Sequence, residues 1–216
     1  MQKIMFMDKF GLTRAVTEGR KTMTRRIIKA HRTMEGKDVY GFSVIKDPLT
    51  KAVIEVMALD ADGAQINNIM PRYKVGEVVA VAQRYRDIMD YLADSFIQPA
   101  PGYLTDNPGY NNKMFVRADL MPHQIRFTNV WAERLQDITE EDCLKEGVDK
   151  GYLGYYINGL KTKDWEKESH VEKDGKTYRL FPTPQKAFAA LIDMIHGKGT
   201  WDSNPWVYAY EHKLVK

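Results

Sequence analysis

The stretch Gly19-Arg20-Lys21-Thr22-Met23-Thr24-Arg25-Arg26 joins two predicted elements of different kinds. Upstream, residues 8–18 have the spacing of a short helix, and Gly19 is suited to end it in the left-handed conformation. Downstream, alternate side chains between residues 22 and 28 form two sets, as along a β-strand that uses both faces. The stretch therefore predicts a helix, a turn that contains Lys21, and a strand rich in hydroxyl and cationic side chains.

Positive charge is concentrated in this part of the chain. Residues 20–32 include six Lys or Arg and no Asp or Glu, whereas the net charge of all 216 residues is only +3. Closely spaced cations repel one another, and a bound anion such as a nucleic-acid phosphate relieves that repulsion. The same pattern also suits a solvated edge strand whose charges prevent aggregation. The charge pattern alone leaves both interpretations open.

The spacing of Gly19, Lys21 and Arg26 resembles the G-x-K-x-x-x-x-R signature of the ASCH domain, a member of the PUA-like β-barrel superfamily linked to RNA binding and RNA modification. Four further segments resemble phage- and prophage-associated ASCH proteins: residues 73–79, 134–142, 146–148 and 201–206. The resemblance implies an α+β fold, a small PUA-like (ASCH) β-barrel with flanking helices and long loop insertions. It implies one domain over residues 1–216, with insertions near 30–70, 84–118 and 149–182.

Thr24 occupies a position at which many ASCH proteins have Glu. A bacterial branch of the family, the N4-acetylcytidine amidohydrolases, resembles this chain in having Thr there, within a G-R-K-T-x-T sequence. That resemblance implies catalytic roles for three residues: the Thr24 hydroxyl would attack an amide, Lys21 would activate it, and Glu146 would move the proton to the leaving amine. The amidohydrolases of that branch are compact barrels, so the long insertions of this chain could build a different pocket.

Glu146 is also unusual by local electrostatics. Thr139 is a suitable N-cap for an acidic helix that Gly147 ends, so Glu146 falls in the last turn, where the helix dipole disfavours a carboxylate. A carboxyl group in such a place is a candidate for proton transfer or for pairing with a cation such as Lys21. An exposed surface glutamate is the alternative.

Apolar periodicity predicts the remaining elements. Residues 39–46 and 52–59 form a predicted hairpin, and residues 73–82 lead into a strand that is apolar on both faces. A helix is predicted at residues 84–96 and another after Thr183-Pro184, and the closing strand is residues 206–214. Residues 99–112 are predicted to be a long irregular loop, in which Tyr103 and Tyr110 either stack on a nucleobase or anchor the loop.

Bulk properties describe an ordinary globular chain. Hydrophobic residues make up 44% of the sequence and charged residues 28%, and no apolar run approaches the length of a membrane span. A single cysteine, Cys143, and a short N-terminal run that Asp8 interrupts lead us to expect a cytoplasmic protein without a signal peptide. The five histidines share no metal-ligand spacing, so neither a metal nor a cofactor is predicted.

Two functions follow from these observations. The first is binding of RNA or of a nucleotide or nucleoside, in a basic cleft around residues 19–26 where Arg20, Lys21, Arg25 and Arg26 contact anionic groups. The second is hydrolysis of an acylated nucleoside such as N4-acetylcytidine by Lys21, Thr24 and Glu146. A chain that uses the fold only to bind a protein partner is a third possibility.

Overall fold

The computed structural model describes residues 1–28, 33–49, 53–94, 102, 105–161, 168–173 and 175–215. The chain has the predicted α+β architecture. The strands are β1 Lys3–Ile4, β2 Met23–Ile27, β3 Thr33–Met34, β4 Lys37–Asp38, β5 Gly41–Lys46, β6 Val53–Leu59, β7 Gln65–Ile69, β8 Val78–Val81, β9 Gln124–Arg134, β10 Asp149–Lys150, β11 Tyr155–Tyr156, β12 His170–Lys173, β13 Lys176–Arg179 and β14 Trp206–Leu214. The α-helices are α1 Leu12–Thr17, α2 Met89–Asp94, α3 Glu140–Lys145 and α4 Pro184–His196.

A five-stranded sheet with the order β1-β8-β9-β14-β2 forms the centre of the molecule. The β1–β8 pair is parallel and the other three pairs are antiparallel. The long strand β14 matches the predicted residues 206–214, and it aligns Tyr210 with Thr24 and Tyr208 with Arg26. Among the described residues the sheet is open, with β1 and β2 at its two edges, and no closed barrel is formed.

The predicted insertion near residues 30–70 contains a second sheet. The predicted hairpin is present as β5 and β6, and β7 adds a third strand that the sequence did not predict. Val56 and Ala58 of β6 are fully buried, and Val56 joins the main hydrophobic core. The central sheet therefore gains an apolar partner from this segment.

The predicted insertion near residues 84–118 builds a separate small core. Apolar residues of β8 and of the following segment pack together there, and Tyr85 is fully buried among them. The predicted helix at residues 84–96 is shorter than expected, since a 3-10 turn at Tyr85–Asp87 precedes α2. Phe96 lies outside the described residues.

The N-terminal helix predicted at residues 8–18 is divided in two. A 3-10 turn at Asp8–Phe10 precedes α1, and between them Gly11 has a positive φ of 66°. A side chain at Gly11 would lie 2.9 Å from Nδ2 of Asn158, so the close approach of that loop also requires glycine. Gly19 ends α1 in the left-handed conformation, with φ 72°, as the sequence predicts.

Helices α3 and α4 have the predicted starts. The Thr139 hydroxyl accepts a hydrogen bond from the Asp142 amide, and the Thr183 hydroxyl accepts one from the Lys186 amide. Strands β10 to β13 lie in the third predicted insertion, near residues 149–182. None of the described helices is long and apolar enough to cross a membrane.

Candidate functional site

A buried ion pair joins the turn before β2 to the end of α3. Nζ of Lys21 lies 2.5 Å from Oε2 of Glu146 and also donates a 2.8 Å hydrogen bond to the Glu146 carbonyl oxygen. Lys21 is 2% exposed and Glu146 is 4% exposed. Burial lowers the pKa of Lys21, the Glu146 carboxylate opposes that shift, and the positive charges of Arg26 and Arg25 add to it.

Backbone geometry brings these two residues together. The Thr22 amide donates a 2.9 Å hydrogen bond to the carbonyl oxygen of Lys145, which fixes the end of α3 against the start of β2. Gly147 then turns the chain with φ 100°, and a side chain there would lie 3.1 Å from Leu12 and 3.6 Å from Lys21. The predicted helix end thus also lies close to the Lys21 side chain.

Thr24 lines the same small cavity as Lys21 and Glu146. The cavity has a volume of about 80 Å³, and apolar residues of α4, among them Phe188 and Ile192, form part of its wall. Thr24 is buried, and within the described residues its side chain forms no hydrogen bond. Residues with a hydroxyl, an amine and a carboxylate thus line one small, partly open cavity.

Arg25 is held by protein carboxylates and not directed at an open cleft. Its guanidinium lies 2.7 Å from Glu133, 3.1 Å from Asp142 and 3.3 Å from Glu146. Glu133 in turn accepts a 2.7 Å hydrogen bond from the indole of Trp131. The sequence predicted that Arg25 contacts an external anion. In the structure each of its three guanidinium nitrogens contacts a carboxylate of the protein.

Arg20 lies on the surface and is also paired. Its guanidinium contacts Glu18 at 2.8 Å and Asp149 at 2.9 Å. The structure thus places Arg20 outside the cavity that contains Lys21 and Thr24.

Arg26 borders a larger cleft beside the cavity. This cleft has a volume of about 340 Å³, and Arg26 and Met5 line both spaces. One guanidinium nitrogen of Arg26 donates a 2.9 Å hydrogen bond to the Met5 carbonyl oxygen. Although Arg26 reaches solvent, the protein walls lower its pKa by desolvation, and the nearby Arg72 charge contributes to the shift.

Three tyrosines form the aromatic wall of the cleft, two from strand β14 and one from the segment between β7 and β8. They are Tyr73, Tyr208 and Tyr210. Burial raises the pKa of all three phenols, that of Tyr208 to about 12, so each is protonated at neutral pH. The Tyr208 hydroxyl donates to the carbonyl oxygen of Ile69, and the Tyr210 hydroxyl accepts from the Arg72 amide. These bonds connect the second sheet to the central sheet and fix the aromatic wall.

His212 is buried beneath this region and has no hydrogen-bond partner among the described residues. Both of its ring nitrogens are unpaired, and its ring lies 6.0 Å from that of Phe6. Burial, together with the Lys21 and Arg26 charges, lowers the pKa of His212 to about 3. The imidazole is therefore neutral at neutral pH.

Tyr110, one of the two predicted loop tyrosines, does not lie at the site. Tyr110 is half-buried and packs against the small core formed by the segment near residues 84–118, and it lines neither the cavity nor the cleft. This placement matches the alternative in which it anchors the loop. Tyr103 lies outside the described residues.

Several residues of the site were missed by the sequence reasoning. Glu133 and Asp142 neutralise Arg25, and Tyr73, Arg72 and Met5 line the cleft. Alternation of apolar and polar residues around residues 125–130 is typical of a strand, but no local signal relates that strand to Arg25. The aromatic residues of β14 are typical of a core strand, whereas two of its tyrosines also line the cleft.

No protein-family model, curated protein or solved structure matches this chain. Within the described residues, no group of His, Cys, Asp or Glu side chains could hold a metal ion.

Proposed function

We propose that this protein binds a nucleoside or nucleotide, free or as an unpaired nucleotide of RNA, in the cleft beside β2. The observation that carries the proposal is the combination of Tyr73, Tyr208 and Tyr210 with the guanidinium groups of Arg26 and Arg72 in one cleft. Aromatic faces stack on any base, and guanidinium groups provide planar hydrogen-bond donors. The cleft volume of about 340 Å³ lies within the range typical of ligand pockets, about 300–1,000 Å³.

The proposal includes membership of the ASCH family and its PUA-like fold. It is supported by the different tasks of the signature residues: Gly19 ends a helix, Lys21 is in the buried ion pair, and Arg26 borders the cleft. An experimental structure tests this part. Superposition of its central sheet on known ASCH domains should align these three residues with the family signature, and a different strand order would reject the assignment.

Binding is tested by isothermal titration with the four common ribonucleosides and their monophosphates. The variant Tyr208→Leu removes an aromatic face from the cleft. Tyr178→Leu is the matched control because Tyr178, in β13, is also a buried tyrosine but does not line the cleft. We expect Tyr208→Leu to weaken binding by about tenfold, as is typical of losing a stacking contact of 1–3 kcal/mol. Absence of binding to every nucleoside and nucleotide would reject the proposal.

A second candidate function, hydrolysis of an amide on an acylated nucleoside, is favoured by one specific observation. Lys21, Glu146 and Thr24 line a single cavity that adjoins the cleft. In this mechanism the Thr24 oxygen attacks the amide carbon while its proton passes to the neutral form of Lys21. The C–N bond then breaks, the Lys21–Glu146 pair returns the proton to the leaving amine, and water releases the acyl group from Thr24.

This second candidate requires Lys21 to lose its proton, and the lowered pKa of Lys21 favours that loss. The test is release of cytidine from N4-acetylcytidine, followed by chromatography. Thr24→Val removes the hydroxyl while it retains the side-chain shape, and Thr22→Val is the control because Thr22 does not line the cavity. Turnover that Thr24→Val abolishes and Thr22→Val retains is expected. Equal turnover in both variants would exclude Thr24 as the nucleophile.

A further inference from the structure

The cleft has an unusual balance of charge. Among the described residues, its lining includes three cationic side chains, those of Lys3, Arg26 and Arg72, and no Asp or Glu. The small cavity next to it differs, because there the carboxylate of Glu146 balances nearby cations. Like charges that share a cleft without a counter-charge repel one another, and an anionic ligand relieves that repulsion.

Several other arginines of the chain, unlike the two in the cleft, are paired with carboxylates. Six of them form ion pairs with carboxylates at 3.1 Å or less: Arg14, Arg20, Arg25, Arg84, Arg117 and Arg179. Neither Arg26 nor Arg72 has a carboxylate partner within the described part of the chain. The two guanidinium groups of the cleft are therefore open to an external anion.

The three cations of the cleft differ in how many of their hydrogen-bond donors are already used within the protein. The Lys3 ammonium donates to the carbonyl oxygens of Met114 and Val116, both at 2.6 Å, so it is engaged in holding the neighbouring loop. Arg26 uses one nitrogen on the Met5 carbonyl oxygen. The central carbon of the Arg72 guanidinium lies over the Tyr73 ring, 5.4 Å from its centroid, and within the described residues its N–H groups donate no hydrogen bond.

A guanidinium that lies over one ring, and whose N–H groups have no acceptor among the described residues, suits a phosphate beside an aromatic wall. Arg binds phosphate oxygens with two parallel N–H donors, and such charge-assisted bonds are about twice as strong as neutral ones. Arg72 is exposed at the rim, whereas Tyr208 and Tyr210 are buried deeper along the same wall. This arrangement suits a base against the tyrosines and a phosphate at the rim.

We propose that the ligand of the cleft carries a phosphate group, which Arg26 and Arg72 hold at the rim. The inference rests on the proposed function and narrows it from nucleosides in general to phosphorylated nucleosides. The phosphate belongs either to a free nucleotide or to the phosphodiester of an RNA chain, and the chemistry of recognition is the same for both.

The experiment compares three forms of each common ribonucleoside by isothermal titration: the free nucleoside, its 3′- and 5′-monophosphates, and a dinucleoside monophosphate. We expect at least one phosphorylated form to bind ten or more times tighter than the nucleoside. The preference should shrink as salt is raised from 50 to 500 mM, since salt screens exposed charges. Tighter binding of the monophosphate indicates a free nucleotide, and tighter binding of the dinucleoside form indicates RNA.

Arg72→Gln is the diagnostic variant because Arg72 is exposed and its loss should not affect folding. We expect it to weaken binding of the phosphorylated form at least fivefold more than binding of the free nucleoside, so that the preference for phosphate shrinks. Arg126→Gln is the control, since Arg126 is an exposed arginine of β9 that does not line the cleft. Equal affinities for nucleosides and their phosphates would overturn this inference and leave the proposed function intact. Failure of every form to bind would instead overturn the proposed function.

Discussion

Arg25 and Arg26 are consecutive residues of one strand, yet their surroundings are opposite. Arg25 is buried and contacts three carboxylates, those of Glu133, Asp142 and Glu146. Arg26 reaches solvent and borders a cleft that has no carboxylate. Alternation along β2 sends the two side chains to opposite faces, so the same residue type serves two purposes. The difference shows that charge in this stretch is divided between internal structure and an open surface.

The largest expected effect is on the buried side of that comparison. Arg25→Gln leaves three carboxylates facing one another, and loss of one partner from a buried ionic network costs about 3–5 kcal/mol. Urea unfolding measures the change, with Arg26→Gln as the neighbouring control. If Arg25→Gln lowered the free energy of unfolding by less than about 1 kcal/mol, the three carboxylates would be solvated. Arg25 and Arg26 would then not differ in their contribution to stability.

The next effect is the pH dependence of stability. It arises at His212, which is buried and feels the charges of both Lys21 in the buried ion pair and Arg26 at the cleft. Its pKa falls from the ordinary 6.5 to about 3 on folding, so the unfolded chain binds a proton that the folded chain does not. The stability from neutral His212 is present above pH 6.5 and is lost as pH falls towards 3. At about 1.4 kcal/mol per pH unit, it contributes a loss of about 2 kcal/mol between pH 7 and pH 5.

His212→Leu tests this prediction, since leucine fills similar apolar space and does not titrate. We expect the free energy of unfolding of the wild type to fall more steeply between pH 7 and pH 5 than that of the variant. Parallel pH profiles would mean that the imidazole finds a partner, such as a buried water, that keeps its pKa near the ordinary value.

A smaller effect concerns the helix that carries the carboxylates. Thr139→Ala removes the N-cap of α3 and should cost about 1 kcal/mol. Thr183→Ala, which removes the cap of α4, is the matched control. In double-mutant cycles with Arg25→Gln, we expect the Thr139 variant to be non-additive and the Thr183 variant to be additive. Additivity of both would indicate that α3 holds Asp142 in place without its cap.

The smallest expected effect on stability is on the open side. Arg26→Gln should change the free energy of unfolding by no more than about 0.5 kcal/mol, because Arg26 is exposed and has no ion-pair partner among the described residues. Calorimetry of the same sample should nevertheless show weaker binding of a nucleoside monophosphate. A large loss of stability would show that Arg26, like Arg25, stabilises the fold.

Local pattern predicted much of the fold. The caps at Thr139 and Thr183, the end of α1 at Gly19 and the full extent of β14 follow from residue types and periodicity. The division of the first helix at Gly11 was missed because its cause is a loop that contains Asn158, far along the chain. The third strand of the second sheet was missed because Gln65–Ile69 is polar and lacks an alternating pattern.

The site could be predicted only where resemblance supplied the partners. Lys21 and Glu146 are 125 residues apart, and Arg25 is 108 residues from Glu133. Propensity and periodicity are local properties, so they carry no information on such contacts. The cleft was missed for a related reason: its wall combines strand β14 with residues 69–73, which are distant along the chain, and an aromatic run such as that of β14 is equally typical of a core strand.

The surroundings of Cys143 have a practical consequence for measuring ligand binding. This single cysteine is fully buried on α3, and burial raises its pKa to about 12, so at neutral pH it is a shielded, protonated thiol that alkylating dyes attack slowly. A cysteine introduced by Met70→Cys, at a position 63% exposed on the rim of the cleft, would therefore be labelled selectively. The native chain already has the chemical background that a single-site fluorescent reporter of cleft occupancy needs.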